Sequence, residues 1–418
     1  MLSSARHPRF TLAATQLVCE GSAFFRNLVL ARLVGADEMG LAVALALGLR
    51  IFEMAGDFGL DRLLVQVEGE ALAATRRGVH LLQLLKGWAL TGAALLLAAP
   101  LSRALDPALD PSWFALAALS LAIRGAANCD YRERQRRGEF LPAFVVEGAS
   151  SLVAALATIP LALAIRDYTV LVWTVLLQAA VFCALSHVVA SHRYAVGIDR
   201  ALLRRCLGYG VPIALNGALM FLALQGDRLI VAVGFPAAEL ARFALATQLT
   251  LLPALVGARY VLGSELPRLA RSARRPGGLD EHFKALLGRV AAVALLGAIG
   301  LGLAGNLLIE ALYGGQYRVA PAVLGLLAAA AGLRLIRAVP STALMALERT
   351  RPLFLSNLPR LVTLPVALAA VALGGGLASV VAIGIVGEML GLVIALVAVN
   401  GARPRLRQTA LPRLLEGT

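Results

Sequence analysis

"RNLVLARLVGADEMGLAVALAL" (residues 26–47) holds two apolar runs around a short acidic turn, with Arg26 and Asn27 inside the first run. Shifted by 201 residues, "DRLIVAVGFPAAELARFALATQ" (227–248) falls on it without a gap. Glu38 meets Glu239, Ala31 meets Ala232, Gly35 meets Pro236, and Arg26-Asn27 meets Asp227-Arg228. Self-similarity at about half the chain length predicts two copies of one unit. If an even number of membrane helices separates them, the copies share an orientation, a parallel repeat about an axis along the membrane normal.

The rest of the chain supplies those helices. Of 418 residues, 59% are hydrophobic and 15% are charged, against about 25% charged in soluble domains. The mean hydropathy is +0.79. A soluble core has no room for that much apolar surface, so the class is an all-α polytopic membrane protein. The apolar runs are long and rich in Ala, Leu and Val, not the short alternating segments of a membrane β-barrel. Windows of about 20 residues predict twelve spans: 11–34, 39–66, 78–100, 112–131, 141–165, 169–191, 207–235, 239–263, 284–312, 319–346, 352–374 and 377–400. The basic N-terminus lacks a small-residue cleavage site after its apolar run, so the first run reads as a retained helix. The expected organisation is a six-helix lobe (1–192), a linker (193–206), a second six-helix lobe (207–400) and a basic tail (401–418).

Orientation follows from where Lys and Arg fall. With the N-terminus inside, the inner segments hold 24 Lys and Arg residues and the outer ones 5. Both termini are therefore expected in the cytoplasm. The same bias accounts for the net charge of +14: basic loops face an anionic inner leaflet, and nucleic acid is not needed as a partner. The four cysteines are scattered, with no C-x-x-C, and read as small apolar filler.

Several stretches resemble one family. "ARLVGADEMGLAVALAL" followed by "EMAGDFGLDRLLVQ" (53–66) is similar to the opening of the polysaccharide-biosynthesis flippases. These are the O-antigen and teichoic-acid exporter type of the multidrug/oligosaccharidyl-lipid/polysaccharide exporter superfamily. "YGVPIALNGALMFLALQGDRLIVAVG" (209–234) resembles the start of that family's second half, and "ALYGGQYRVAPAVLGLLAAA" (311–330) its Tyr-Gly turn before helix ten. Ala36 stands where the family usually has Pro, and the second-half turn reads Phe235-Pro236. The resemblance implies two six-helix lobes around a central cavity. It implies alternating-access movement of an undecaprenyl-pyrophosphate-linked oligosaccharide across the bacterial inner membrane, with no bond broken. Implied partners are the lipid-linked glycan, inner-membrane lipids, a polysaccharide polymerase and other envelope-assembly proteins.

Beyond the 29 Lys and Arg residues assigned to the inner and outer segments, ten of the 39 remain, within the predicted spans. Lys86, Arg259 and Arg289 sit near helix ends, where long side chains reach the interface. Arg124 and Arg360 are intermediate. Arg26, Arg50, Arg228, Arg334 and Arg337 are deeper, and an arginine at a helix centre costs roughly 2.5–3.5 kcal/mol on insertion scales. They either pair internally or meet an anion. Arg50, Glu53 and Asp57 would share one helix face, and Asp227 is next to Arg228. Arg334 and Arg337 have no acid on their own helix, and a guanidinium fork suits phosphate oxygens. Arg26, Asn27, Arg50, Arg228, Arg334 and Arg337 are therefore the substrate-binding candidates. Glu53, Asp57 and Asp227 are the candidates for coupling to protons or Na⁺, with pairing to the arginines as the alternative.

The two lysines sit in "LKGWA" and "FKALL", not in a P-loop. There is no H-E-x-x-H, and the five histidines suggest no ligand set. No cofactor, metal or catalytic residue is expected, and the chain is not expected to be an enzyme. A drug/cation antiporter of the same superfamily would want an acid-dominated cavity. A membrane glycan polymerase would want a large outer loop, and a scaffold would not need buried arginines.

Overall fold

The computed structural model describes residues 8–60, 64, 71–197, 200–273 and 278–415. Twelve long helices run through these residues: α1 Pro8–Leu33, α2 Ala36–Ala55, α3 Ala71–Leu105, α4 Pro111–Gly125, α5 Leu141–Ile165, α6 Thr169–Val188, α7 Arg200–Gly234, α8 Ala237–Ser272, α9 Gly278–Leu312, α10 Pro321–Ala346, α11 Leu358–Ala372 and α12 Leu377–Leu415. The fold is an all-α polytopic membrane protein. Each predicted span meets one of these long helices. The register of the repeat is kept as well: α1 ends at Leu33 and α7 at Gly234, while α2 begins at Ala36 and α8 at Ala237, each pair 201 residues apart.

Among the described residues, nine segments are long and apolar enough to cross a membrane, eight of them within single long helices and the ninth α11 together with the short helix before it, Thr350–Ala372. Their surfaces agree. Leu96, Leu303 and Leu373 are 84%, 81% and 89% exposed, which is tolerable against hydrocarbon and costly against water. The three helices outside that set are α1, α2 and α4. They carry Arg26, Arg50 and Arg124, respectively.

Several helices run past their expected ends: α3 and α7 begin at Ala71 and Arg200, α8 reaches Ser272, and α12 continues to Leu415 through most of the expected tail. Two further boundaries fall short. The second span was expected to run to residue 66, but α2 stops at Ala55, where Gly56 caps it. The "GDFG" stretch is then a turn: Gly59 has φ +60° and its N–H donates to Asp57 Oδ1 at 3.2 Å. Asp57 is therefore off the helix and does not continue the face of Arg50 and Glu53. Residues 61–63 and 65–66 of that span lie outside the described residues. The fourth span was expected to reach residue 131. It ends at Gly125 and resumes as a short helix, Asp130–Arg136.

Local signals set the other ends. Asp110 caps α4 by accepting from Ser112 N at 2.8 Å, with Pro111 in the first helical position. Asp37 and Glu38 occupy the first turn of α2, where the helix dipole favours acids. Glu38 also accepts from Tyr168 N at 2.9 Å, tying the α1–α2 turn to the α5–α6 turn.

The backbone divides into two compact units, Met1–Phe221 with Pro236–Ala241, and Leu222–Phe235 with Arg242–Thr418. The division falls inside α7, later in the chain than the expected linker. Residues 191–197, at the start of that linker, are fastened to the first unit. Ser191 N donates to Asp130 Oδ2, Asn128 Nδ2 donates to His192 O, and Gly197 N donates to Arg77 O. Tyr194 stacks on His80 with ring centroids 4.5 Å apart. Residues 198 and 199 of the linker and 416–418 of the tail lie outside the described residues.

Candidate functional site

In the first unit, charged residues from α1 to α5 and from the short helix Asp130–Arg136 face one cavity of about 590 Å³. Two glycines bring two of those helices together. A Cβ on Gly87 would stand 2.8 Å from Leu121 O, and one on Gly125 would stand 2.7 Å from Gln83 O. The α3 and α4 backbones therefore touch, which places Lys86 and Arg124 side by side on the cavity wall. α5 contributes Glu147 from a π-helical turn, Phe144–Ala149, a distortion that re-aims side chains and recurs at functional sites.

The cavity wall holds five cations (Arg26, Arg50, Lys86, Arg124, Arg132) and three acids (Glu20, Glu53, Glu147). Two acids are committed. Glu53 pairs with Arg50 at 2.8 Å and Glu147 with Arg132 at 2.6 Å. Arg124 lies over the Phe182 ring, 5.2 Å from its centroid. Arg26 Nε is buried without a hydrogen-bond partner, so the α1 arginine is sited on the cavity with unmet donor capacity. Arg50 is 59% exposed. An ion pair that open is worth little, and the guanidinium stays accessible to another anion. Asn27 is half-buried beside Arg26 and does not line the cavity.

The second unit treats its arginines differently. Arg334 Nε donates to Glu388 Oε1 at 2.7 Å, and Arg337 lies 3.4 Å from Glu388 Oε2 while donating to Ser356 O. The acid that their own helix lacks is supplied by α12. Arg360 is 2% exposed and forms an ion pair with Asp227. Asp227 had been expected to serve its neighbour Arg228 or a coupling ion. Instead the Arg360 guanidinium sits on it as a built-in cation. Arg228 donates to Gln225 Oε1 at 2.9 Å and Ala244 O at 3.4 Å.

A glycine groove on α12 makes room for this network. A Cβ on Gly384 would stand 2.7 Å from Arg360 Nη1, one on Gly387 2.7 Å from Thr363 Oγ1, and one on Gly391 2.4 Å from Ser356 O. Sequence reasoning treated Arg360 as intermediate and missed its role. The signal was there in "GIVGEMLG" (384–391), small residues at helical spacing around Glu388.

A second grouping was also missed. Asp130, Glu133 and His192 bring one ligand-type atom each within 4.8 Å of one another. Their partners give an ion-pair lock. Arg76 clasps Glu133 through two bonds, at 2.7 and 3.2 Å, and His192 Nδ1 meets Asp130 Oδ1 at 2.7 Å. The Tyr-Gly turn before α10 buries Tyr313 and Tyr317 completely, and that burial pushes both phenols up to about 12.

The comparisons with known proteins agree with this architecture. A solved structure described as "Lipid II flippase MurJ, inward closed conformation" matches with a TM-score of 0.74 at 13% identity, over 96% of this chain and 91% of that one. An inward-facing multidrug resistance MATE family transporter of the MOP superfamily matches with a TM-score of 0.69 at 13% identity, over 97% and 100%. A MOP superfamily transporter from Pyrococcus furiosus, whose title speaks of a binding pocket of reversed polarity, matches with a TM-score of 0.58 at 13% identity, over 95% and 96%. At such identities the likeness carries the fold alone. Among curated proteins, none matches the chain. The model of the family described as "Polysaccharide biosynthesis protein" matches residues 29–322, which is most of the chain and includes both 26–47-type segments almost in full. The chain belongs to the polysaccharide biosynthesis protein family.

Proposed function

We propose that the protein moves an anionic lipid-linked oligosaccharide, carried on undecaprenyl pyrophosphate, across the bacterial inner membrane by alternating access. The observation that carries this reading is the first unit's cavity, with five cations against three acids and two of the acids already paired. Such a wall attracts phosphate and repels an organic cation. Guanidinium groups replace the water that a pyrophosphate sheds on entry. Arg26 and Arg50 make the primary contacts, and Asn27 supports Arg26 from the same helix. Lys86 and Arg124 extend the basic wall.

The second unit's Arg228, Arg334 and Arg337 enter in a supporting role. Arg334 and Arg337 are held by Glu388, so phosphate reaches their forks only by competing with that carboxylate. Glu53 is the remaining ion-coupling candidate on the first cavity. Its partner Arg50 would be released from it when phosphate arrives. Asp227, with Arg360 on it, is open to a coupling ion only if that pair parts. Asp57 stands outside the cavity lining. The reading keeps both termini in the cytoplasm and requires no chemical step by the protein.

The antiporter reading has one observation behind it, the fold shared with a multidrug MATE transporter. The cationic excess of the cavity wall supports the glycolipid reading over it. The experiment is depletion in the native cell. Lipid-linked glycan should accumulate in a form that a membrane-impermeant glycan-modifying enzyme added outside cannot reach. Unchanged glycan export with heightened sensitivity to cationic dyes would favour the antiporter.

A further inference from the structure

The second unit contains a much smaller cavity, about 20 Å³, walled by Arg228, Arg334, Arg360, Asp227, Glu388 and Thr247 among others. A void of that size takes one water-sized occupant and excludes a pyrophosphate. The charges around it do not balance. Arg360 is matched by Asp227 and Arg334 by Glu388. Arg228 is left with two neutral acceptors, the Gln225 side chain and the Ala244 carbonyl. Its Nε is buried with no hydrogen-bond partner. Arg337 adds a further cation to Glu388 from outside the cavity. In the cavity wall alone, three guanidinium groups meet two carboxylates, which leaves one positive charge uncompensated within the membrane, where it is expensive; Arg337 makes the surplus of the wider cluster two.

The chemistry of an occupant follows from that excess. A cation would worsen it, and a water molecule would leave it. A small monovalent anion would cancel it. The donors are guanidinium groups only, because the Thr247 and Thr250 hydroxyls donate back to Phe243 O and Ala246 O of their own helix. Asp227 Oδ1 and Glu388 Oε2 are buried without a hydrogen-bond donor and repel an anion, which restricts the position further. The geometry points to a halide-sized anion site between Arg228 and Arg334, distinct from the cavity assigned above to the lipid phosphate.

The test uses the full chain, purified in detergent, with bromide and chloride as the probes. Replacing gluconate by chloride at constant sodium should raise the thermal unfolding midpoint saturably, by about 2–5 °C. Replacing sodium by choline at constant chloride should leave it unmoved. Arg228→Gln should abolish the halide response. Thr247→Leu, which fills the cavity and keeps every charge, should abolish it too. Bromide-soaked crystals of the unmodified protein should show an anomalous peak beside Arg228 Nε and Arg334, and this decides the matter if either variant fails to insert. A response to sodium instead of halide, a halide response that survives both substitutions, or bromide density only at the first unit's arginines would overturn the site. None of these outcomes depends on glycan export, so the proposed function stands or falls separately.

Discussion

Arg334 and Glu388 are 54 residues apart in sequence and 2.7 Å apart in the fold, on α10 and α12, with side chains 15% and 3% exposed. Glu388 also receives Arg337 at 3.4 Å and lies 3.7 Å from Arg360 Nε. One carboxylate thus holds three guanidinium groups. Removing the shared partner strands Arg334 and leaves Arg337 only the Ser356 carbonyl, while Arg360 keeps Asp227; removing Arg334 strands none. Glu388→Gln should therefore cost more stability than Arg334→Gln, with a loss of about 3–5 kcal/mol expected for breaking a buried pair. Thermal unfolding in detergent and the level of protein in the membrane check this. Equal losses, or a harmless Glu388→Gln, would show that the network does not stabilise the unit.

The α12 groove gives a graded expectation. Gly391→Ala drives a methyl group to 2.4 Å from the Ser356 carbonyl, a backbone atom that cannot swing away. Gly384→Ala meets the far end of the Arg360 side chain at 2.7 Å, which has more freedom. Gly297→Ala on α9 meets nothing within 4 Å. The order of unfolding midpoints should be Gly297→Ala highest and Gly391→Ala lowest. A Gly391→Ala protein as stable as the unmodified one would contradict the close approach.

Much of this fold was legible in the sequence because a bilayer allows few choices. Backbone polar groups must be satisfied within each span, so apolar runs become helices and their number follows from length. The 201-residue register held at 33/234 and at 36/237 although the turn residues differ, Gly35 against Pro236. The site was less legible. That Arg50 and Glu53 pair could be read from helical spacing, and Arg26 was singled out by its cost. That α12 lends Glu388 to two arginines of α10, or that Arg360 rather than Arg228 takes Asp227, depends on which helices are neighbours. Spacing along one helix carries no information about that. Asp57 was misplaced because a Gly-Asp-Phe-Gly turn sits inside a run that remains apolar overall.

Topology is testable independently of any transport assay. Reporters inserted at 193–206 and at 264–282 should both read cytoplasmic, as the 24-to-5 distribution of Lys and Arg requires. A periplasmic reading from either would overturn the orientation.

Alkaline pH should act on the turn before α10. The Tyr313 and Tyr317 phenols are raised from 10.0 to about 12 by burial. The folded state therefore keeps protons that the unfolded chain gives up. Stability is intact below pH about 10 and falls as pH rises toward about 12. Replacing both with Phe should flatten that loss in an unfolding series. An unchanged alkaline limb in the double variant would assign the loss to other groups.

The central claim is that an anionic glycolipid crosses the membrane through the arginine-lined cavity. The direct measurement is transbilayer movement of a fluorescent undecaprenyl-pyrophosphate oligosaccharide in proteoliposomes holding the purified protein, followed by quenching from outside. The account predicts protein-dependent movement that falls at least about tenfold in Arg26→Ala and in Arg50→Ala, a loss of about 1.4 kcal/mol or more in transition-state stabilisation, with both variants inserted at normal levels. Movement at the unmodified rate in the Arg26→Ala, Arg50→Ala double variant, or extrusion of a cationic dye with no movement of the glycolipid, would contradict it.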